Sequence, residues 1–348
     1  MIVVDGSFGE GGGQLLRYSV ALAAIMGEEV KVINIRAKRS NPGLRPQHLN
    51  AIKTIASLVG AEVEGLRIGS TQITFRPKRR PRGGQYKVDI GTAGSISLLL
   101  QATLPVLVAA DSPVELTVRG GTTVKWSPPV PYMQHVLLPL LKKFGVKAEI
   151  DLIRRGFYPE GGGIVKVRVK PGKLRPISIS PYKEIKSIRG ISYVGNLPRH
   201  IAVRQASSAR SVLEKRGYGR YIEEIVIDDK TPAASRGTGI VVWAETDQGV
   251  AGGDSLGERG KRAEVVGREA GEKLADVLDV KASTDDHALD NLVIYMALTS
   301  GTSEVYAPRM TSHAETALWL CKKITGASYE VEKRDGGIVV RIRGAGLL

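Results

Sequence analysis

The chain has 348 residues, a hydrophobic fraction of 42% and a net charge of +15, from 50 Lys and Arg against 35 Asp and Glu. These values exclude a disordered or fibrous chain and predict a soluble protein with a large core. The charge favours a polyanionic partner, a nucleic acid or a nucleotide, with a basic enzyme that has a solvated surface as the alternative. We see neither an apolar run near the ~20 residues of a membrane span nor a signal peptide, so we expect a cytoplasmic protein without membrane contact. The lone Cys321 excludes an intrachain disulfide.

The spacing of apolar residues, together with glycines at the ends of predicted helices, predicts a repeated order of elements along the chain. The first unit has strand Ile2–Val4, helix Gln14–Met26, strand Glu29–Ile35, helix Gln47–Val59 and strands Glu62–Ile68 and Gln72–Phe75. The second has strand Tyr86–Ile90, helix Ser95–Ala109, strand Val114–Val118, helix Tyr132–Phe144 and strands Lys147–Ile153 and Gly163–Val169. The third has helix Leu289–Leu298, strand Ser303–Tyr306, helix His313–Ile324 and strands Ser328–Glu332 and Ile338–Ile342. We therefore predict an α/β (α+β) fold with three βαβαββ-type repeats.

Residues 184–278 break this order and predict a small inserted α/β domain. Its predicted elements are strand Lys186–Val194, helix Ile201–Lys215, strands Glu223–Ile227 and Gly239–Thr246, and helix Lys261–Leu278. Residues 1–183 and 279–348 then form the large domain.

Two segments of the first unit have the composition of a phosphate site. Gly9-Glu-Gly-Gly-Gly-Gln14 lies between a strand and a helix, where glycines allow close backbone approach and helix N–H groups face an anion. Its carboxylate, Glu10, suits a divalent cation carried by a nucleotide, and a solvated turn is the alternative. Arg36, Lys38, Arg39 and Arg45 precede the second helix, and arginine clamps phosphate in a bidentate manner.

A third segment, Thr311-Ser-His-Ala-Glu-Thr316, begins the last predicted helix. Ser312 is the expected N-cap, because Glu315 follows at capping-box spacing. His313 then lies in the first turn, where a neutral imidazole beside an anion site could be a nucleophile. A capping or surface histidine is the alternative. No H-E-x-x-H, C-x-x-C or G-x-S-x-G motif occurs, and the five histidines lack metal-ligand spacing.

Several motifs together resemble the RNA 3′-terminal phosphate cyclase family over nearly the whole chain. They are DGSFGEGGGQLLR, IRAKRSNPGLRPQHL, GTAGSISLLLQATLP, the GGT turn at 120–122 and RRGFYPEGGGIV. Read alone, the last is only a hairpin turn. The resemblance implies three repeats like the C-terminal domain of translation initiation factor three, interrupted by a small thioredoxin-like domain.

The resemblance also implies an activity. Members use ATP and a divalent metal, Mg²⁺ or Mn²⁺, to convert an RNA 3′-terminal phosphate into a 2′,3′-cyclic phosphodiester. Histidyl-AMP and RNA-adenylate are the intermediates, and the nucleophile of the SH-x-x-T-type motif corresponds to His313. The partners implied are ATP and an RNA 3′ end, and assembly into a homo-oligomer stays open. We expect removal of the inserted domain to spare adenylation more than RNA processing.

The other site residues are carried over from the family in the same way. The resemblance implies Glu10 as the metal carboxylate. It implies ATP contacts for Gln101, Pro129, His287, Ala288, Leu289, Asp290 and Asn291. It implies RNA phosphate contacts for Arg17, Arg36, Arg39 and Gln47. His287 replaces the tyrosine and Asn291 the glutamine of some members, which puts base selectivity in question.

Two other classes of protein remain as alternatives. Cyclase-like ribosome-biogenesis proteins share the fold as non-catalytic RNA-binding proteins, but they lack the histidine nucleophile. Enolpyruvyl transferases are built from similar repeats. A protein of that class would have a different pattern of basic site residues and would not form an adenylated histidine. His313, Glu10 and the arginines favour the cyclase.

Overall fold

The computed structural model describes residues 1–334 and 336–348. Its first part consists of β1 (Ile2–Asp5), α1 (Gly13–Met26), β2 (Val30–Ile33), α2 (Pro46–Val59), β3 (Glu62–Glu64) and β4 (Ile73–Arg76). The strands form a sheet in the order β1-β2-β4-β3, in which β1 and β2 are parallel and the other neighbours antiparallel. Gly27 and Gly60 end the two helices in the left-handed conformation that glycine adopts without strain.

The next part of the chain builds a second sheet in the same way. Its elements are β5 (Gly84–Asp89), α3 (Ile96–Val108), β6 (Val114–Gly120), α4 (Val130–Tyr132), a π-helical turn (Met133–Leu137), α5 (Leu138–Lys143), β7 (Lys147–Arg154) and β8 (Gly163–Lys170). The order is β5-β6-β8-β7, again with one parallel and two antiparallel pairings. The π turn interrupts what the sequence predicts as one continuous helix.

The third sheet draws its strands from distant parts of the chain. Its elements are β9 (Ser178–Ile179), α8 (Asp286–Leu298), β14 (Ser300–Ala307), α9 (Ser312–Thr325), β15 (Ser328–Arg334) and β16 (Gly337–Ala345). The order is β9-β14-β16-β15, with β9 parallel to β14. β9 is therefore the counterpart of β1 and β5, and the sequence analysis missed it because two residues give no periodic signal.

The segment between β9 and α8 forms the fourth sheet. Its elements are β10 (Ile185–Gly195), α6 (Arg199–Lys215), a 3₁₀ turn (Gly219–Tyr221), β11 (Ile222–Asp228), β12 (Gly237–Thr246), β13 (Val250–Leu256) and α7 (Ala263–Asp279). The order is β11-β10-β12-β13. β13 is rich in glycine and has no apolar alternation, so its sequence did not predict a strand.

Two hydrophobic clusters support these sheets. The larger contains side chains from α1, α2, α3, α8 and α9, whereas α6 and α7 pack against their own sheet in a smaller cluster. α3 and α8 are apolar on nearly every side and almost wholly buried, as expected for central helices. The mixed α/β class is thus confirmed, while the domain division and the likeness to named domains stay predictions. Among the described residues, no helix is long and apolar enough to cross a membrane.

Candidate active site

The N-terminus of α9 presents His313 at the surface. Thr311, not Ser312, is the N-cap: its backbone is extended, and its Oγ1 accepts a hydrogen bond from Ala314 N at 2.9 Å. The prediction of Ser312 as the cap is therefore wrong by one residue, because Thr311 is an equally good cap and Ser312 already has helical geometry. His313 remains in the first turn of the helix, where the dipole favours an anion.

The His313 imidazole is held by two side chains from the opposite end of the sequence. Its Nδ1 lies 3.1 Å from Gln14 Oε1 and 3.2 Å from Glu10 Oε1. Both are acceptor oxygens, so Nδ1 carries the proton and donates, which leaves the lone pair on Nε2. In this tautomer Nε2 is the nitrogen that could act as a nucleophile.

Burial lowers the pKa of His313, while the nearby Glu10 carboxylate raises it and Arg17 lowers it again. The net direction is downward from the ordinary value of 6.5. The imidazole is therefore neutral at neutral pH, although its side chain is still 46% exposed. A half-buried, neutral and oriented histidine satisfies the main physical requirements for attack on phosphorus.

The glycine-rich loop brings Glu10 to this histidine. Gly9 and Gly11 have φ values of 59° and 60°, which non-glycine residues rarely adopt. A Cβ on Gly12 would lie 2.0 Å from Glu10 Oε1, so a side chain there would displace the carboxylate. The loop is also fixed to α9 at Phe8, whose ring stacks on Trp319 with centroids 3.8 Å apart.

Cations surround the same carboxylate. Arg39 lies 3.5 Å from Glu10 Oε2, and Lys38 donates to Gly9 O at 3.0 Å. Arg17 is buried, and burial lowers its pKa to about 10, so the group stays charged at neutral pH. Arg17 Nε has no hydrogen-bond partner among the described residues, as expected for a cation awaiting an anion.

The other predicted RNA-phosphate residues lie on the adjoining segment. Arg36 has a left-handed φ of 55°, and its guanidinium donates to Asn41 O at 2.6 Å and Gly43 O at 3.1 Å, so it shapes the basic loop. Gln47 lies in the first turn of α2. The sequence analysis missed His48, which is buried beside Arg17 and has its pKa lowered to about 3, chiefly by burial.

The predicted nucleotide segment begins α8. His287 is half-exposed and meets Tyr132 edge-on, with ring centroids 5.8 Å apart. Ala288 and Leu289 are wholly buried in the core, so only their backbone could face a ligand. Asn291 is buried, and its side chain donates to His287 O at 2.6 Å.

Asp290 links this segment to the helix of His313. Its Oδ1 accepts a hydrogen bond from Thr311 Oγ1, the N-cap of α9. Burial raises the pKa of Asp290 to about 7, and the bond from Thr311 opposes that rise. The start of α8 and the start of α9 are thus joined through one carboxyl group.

Gln101 and Pro129, the remaining predicted ATP residues, come from the second sheet's helices. Gln101 is buried in α3, and its amide makes no hydrogen bond to the described residues. Pro129 is the N-cap of α4, three residues before Tyr132. Tyr132 OH donates to Asp285 Oδ1 at 2.6 Å, which connects this region to the start of α8.

The unpredicted strand β13 supplies contacts that the sequence analysis missed. Gly252 N donates to Asp285 Oδ2 at 2.7 Å, and Asp254 Oδ1 lies 3.7 Å from His287 Nε2. Asp254 is buried, and its Oδ1 has no hydrogen-bond partner among the described residues. No sequence motif could have joined β13 to α8, since only the fold brings them together.

Glu10 is the predicted metal carboxylate. No group of three His, Cys, Asp or Glu residues that could enclose a metal occurs in the described part of the chain. A single carboxylate nevertheless fits a Mg²⁺-type ion that keeps its waters and arrives with nucleotide phosphates. The donor set therefore suits a shared cation and not a permanent metal centre.

Taken together, the fold and the cluster define a mixed α/β protein with a neutral, oriented histidine in a cationic site. A family model described as RNA 3′-terminal phosphate cyclase matches residues 8–331. The chain is 46% identical to the RNA 3′-terminal phosphate cyclase of Pyrobaculum aerophilum over 345 residues, 99% of this chain and 98% of the relative. It is 47% identical to that of Pyrococcus furiosus over 339 residues, 97% of this chain and 96% of the relative. The chain belongs to the RNA 3′-terminal phosphate cyclase family of enzymes.

One solved structure is similar at a much lower level. The enolpyruvyl transferase NikO from Streptomyces tendae aligns with 99% of this chain and 48% of its own chain, at 13% identity and a TM-score of 0.41. That likeness is too weak to bear on function.

Proposed function

We propose that this protein converts an RNA 3′-terminal phosphate into a 2′,3′-cyclic phosphodiester at the expense of ATP, with His313 as the covalent nucleophile. The observation that carries the proposal is the hydrogen bonding of Nδ1 to Gln14 and Glu10, which leaves Nε2 free. Membership of the cyclase family supports the overall reaction.

In the first step, His313 Nε2 attacks the α-phosphorus of ATP. A P–N bond forms, the bond to the bridging oxygen breaks, and pyrophosphate leaves. Positive charge develops on the imidazole, and Glu10 beside Nδ1 stabilises it. A divalent cation, Mg²⁺ or Mn²⁺, bound to Glu10 with the ATP phosphates would neutralise negative charge on the α-phosphate.

In the second step, the RNA 3′-phosphate attacks the same phosphorus and the P–N bond breaks, which regenerates neutral His313. The adjacent 2′-OH then attacks the RNA phosphorus, loses its proton and releases AMP as the ring closes. Arg17 and Arg39, with Arg36 and Gln47 on the neighbouring segment, would bind the terminal phosphate. Gln101, Pro129 and residues 287–291 would bind ATP, with His287 stacking on adenine where some members of the family have tyrosine.

The alternative is a non-catalytic, cyclase-like RNA-binding protein of ribosome biogenesis. Such a protein has no use for a neutral histidine fixed in one tautomer, so the geometry of His313 disfavours it.

Incubation with α-labelled ATP and Mg²⁺ tests the proposal. We expect acid-labile label on the wild-type protein and none on His313→Ala, because Nε2 is the acceptor of AMP. His200→Ala, which removes an exposed histidine from α6, is the matched control and should be labelled normally. Label that persists in His313→Ala would refute the mechanism, and RNA binding without any labelling would favour the alternative.

A further inference from the structure

A cavity of about 770 Å³ lies outside the site described above. One wall consists of residues 123–125 and 157–159, from two loops of the second sheet. The other wall consists of residues from α6 and the loop before it, from β12, from the start of α7, and from the end of β13 with the loop that joins it to α7. The lining includes the apolar side chains of Phe157, Leu197 and Leu256. An open groove of this kind between two parts of the fold can hold an extended ligand.

The rim of this groove is cationic. Its lining contains the cations Lys125, Arg236, Arg259 and Lys261 against the single carboxylate of Glu258. Lys125 pairs with Glu258 at 2.6 Å, and Lys261 pairs with Glu269 outside the groove at 2.5 Å.

Two of these cations are uncommitted. Arg236 and Arg259 are exposed, and neither makes an ion pair or side-chain hydrogen bond with the residues that the structure describes. Exposed, unpaired guanidinium groups are suited to bidentate contact with phosphate. The charge of the groove therefore selects an anionic occupant.

Two exposed aromatic side chains belong to the loops that form the first wall: one lines the groove, and the other is the chain neighbour of a lining residue. Tyr158 is 75% exposed and lines the groove, and Trp126, which follows Lys125, is 93% exposed. Trp126 has a φ of 60°, a left-handed conformation that is uncommon for a bulky residue. Exposed aromatic faces alternating with cations are the usual composition of a surface on which single-stranded bases stack.

The groove is also connected to the proposed terminal-phosphate site. A Cβ on Gly161, in the loop that presents Tyr158, would lie 2.8 Å from Ala93 Cα. A Cβ on Gly94, in the next turn, would lie 3.4 Å from Gln47 Cβ. The Tyr158 loop thus packs against a turn that packs against Gln47.

We propose that this groove binds the single-stranded RNA upstream of its 3′ end, with phosphates on Arg236 and Arg259 and bases stacked on Trp126 and Tyr158. The inference rests on the proposed function, since it locates the body of the RNA whose terminus reacts. Cations and aromatic faces together favour RNA over an acidic protein, which would not need the stacking surfaces.

The test compares 3′-phosphorylated RNAs of two and twelve nucleotides in the full-length protein. We expect Trp126→Ala/Tyr158→Ala to lower kcat/KM for the twelve-mer by roughly tenfold or more, with little change for the dinucleotide. Arg236→Gln/Arg259→Gln should do the same and should reduce the slope of log affinity against log salt by about 1.4, for two phosphates of a single strand. Self-adenylation with labelled ATP, which needs no RNA, should match wild type in both.

Lys147→Gln/Lys170→Gln is the matched control, because it removes two exposed cations that face each other across β7 and β8 away from the groove. An equal loss in this control, or undiminished use of the twelve-mer by the groove variants, would overturn the proposal. Reduced self-adenylation would also overturn it, by assigning the groove to the nucleotide. Binding of the twelve-mer measured by fluorescence anisotropy without ATP separates failure of the groove from failure of the proposed chemistry.

Discussion

His313 shows how one side chain acquires a function from its neighbours. The sequence predicted its position in the first turn of a helix, and this was enough to make it a candidate near an anion. It could not predict the tautomer, because Glu10 and Gln14 approach from about 300 residues away and only the fold sets the contact with Nδ1. The tautomer of His313 therefore depends on residues that the local sequence around it does not include.

The pH dependence of self-adenylation should report this environment. Since the pKa of His313 lies below 6.5, the neutral form persists into mildly acidic solution, and the acid limb of the rate should have its midpoint below 6.5. Glu10→Gln removes an interaction that raises this pKa and should move the midpoint lower, in addition to reducing the maximal rate. Arg39→Gln removes an opposing charge and should move it higher. Rates of label incorporation between pH 4.5 and 8 would measure this, and a midpoint above 6.5 in the wild type would contradict it.

At the scale of elements, the structure couples the loop before α1 to α9 through the Phe8–Trp319 stack. Phe8 is two residues from Glu10, and Trp319 is six residues from His313 on α9. The stack therefore holds the carboxylate and the histidine at a fixed separation. The left-handed conformations of Gly9 and Gly11 set the shape of the glycine-rich loop, whereas the stack of Phe8 on Trp319 sets its position against α9.

Phe8→Ala should slow self-adenylation by about threefold to tenfold, because losing the stack of about 0.5–1.5 kcal/mol lets the Glu10 loop move. Phe8→Tyr keeps the ring and should retain nearly the wild-type rate. Single-turnover labelling would measure the effect. A Phe8→Ala rate equal to that of wild type would show that the loop is held by other contacts.

The elements also show what sequence reasoning can and cannot supply. Long helices with apolar stripes and glycine ends were predicted within a few residues, as for α2 and α9. β9 and β13 were missed, because a two-residue strand has no period and a glycine-rich strand has no alternation. Asp254 lies in β13, so its contacts with α8 could not be predicted once this strand was missed.

At the scale of the whole molecule, β13 changes the expected role of the segment between β9 and α8. Gly252 and Asp254 reach Asp285 and His287 at the proposed nucleotide site. These contacts argue against the expectation that removing residues 184–278 would spare chemistry on ATP. The segment therefore contacts the proposed nucleotide site and also lines the groove.

We therefore expect deletion of residues 184–278, closed by a short flexible linker, to reduce self-adenylation and RNA cyclisation together. Asp254→Ala tests the same point without a large deletion, and should raise the KM for ATP severalfold because His287 loses a neighbouring carboxylate. Glu224→Ala is the matched control, because it removes an exposed carboxylate on β11 that makes no ion pair with the residues that the structure describes. Normal self-adenylation by the Asp254→Ala variant would instead support the expectation that removing residues 184–278 spares chemistry on ATP.

The pairing of β9 with β14 has a consequence for the order of folding. Ile179 pairs with Val305, so the parallel edge of the third sheet closes a loop of more than a hundred residues. Tyr182 N donates to Lys281 O at 2.9 Å, which brings the ends of that loop together once the intervening sheet has formed. If the intervening segment folds first, it shortens the flexible loop between β9 and β14. The entropy cost of pairing these two strands is then smaller. The third sheet, whose helix α9 carries His313, is thus the unit whose assembly depends on another, so we expect the candidate active site to form late in folding.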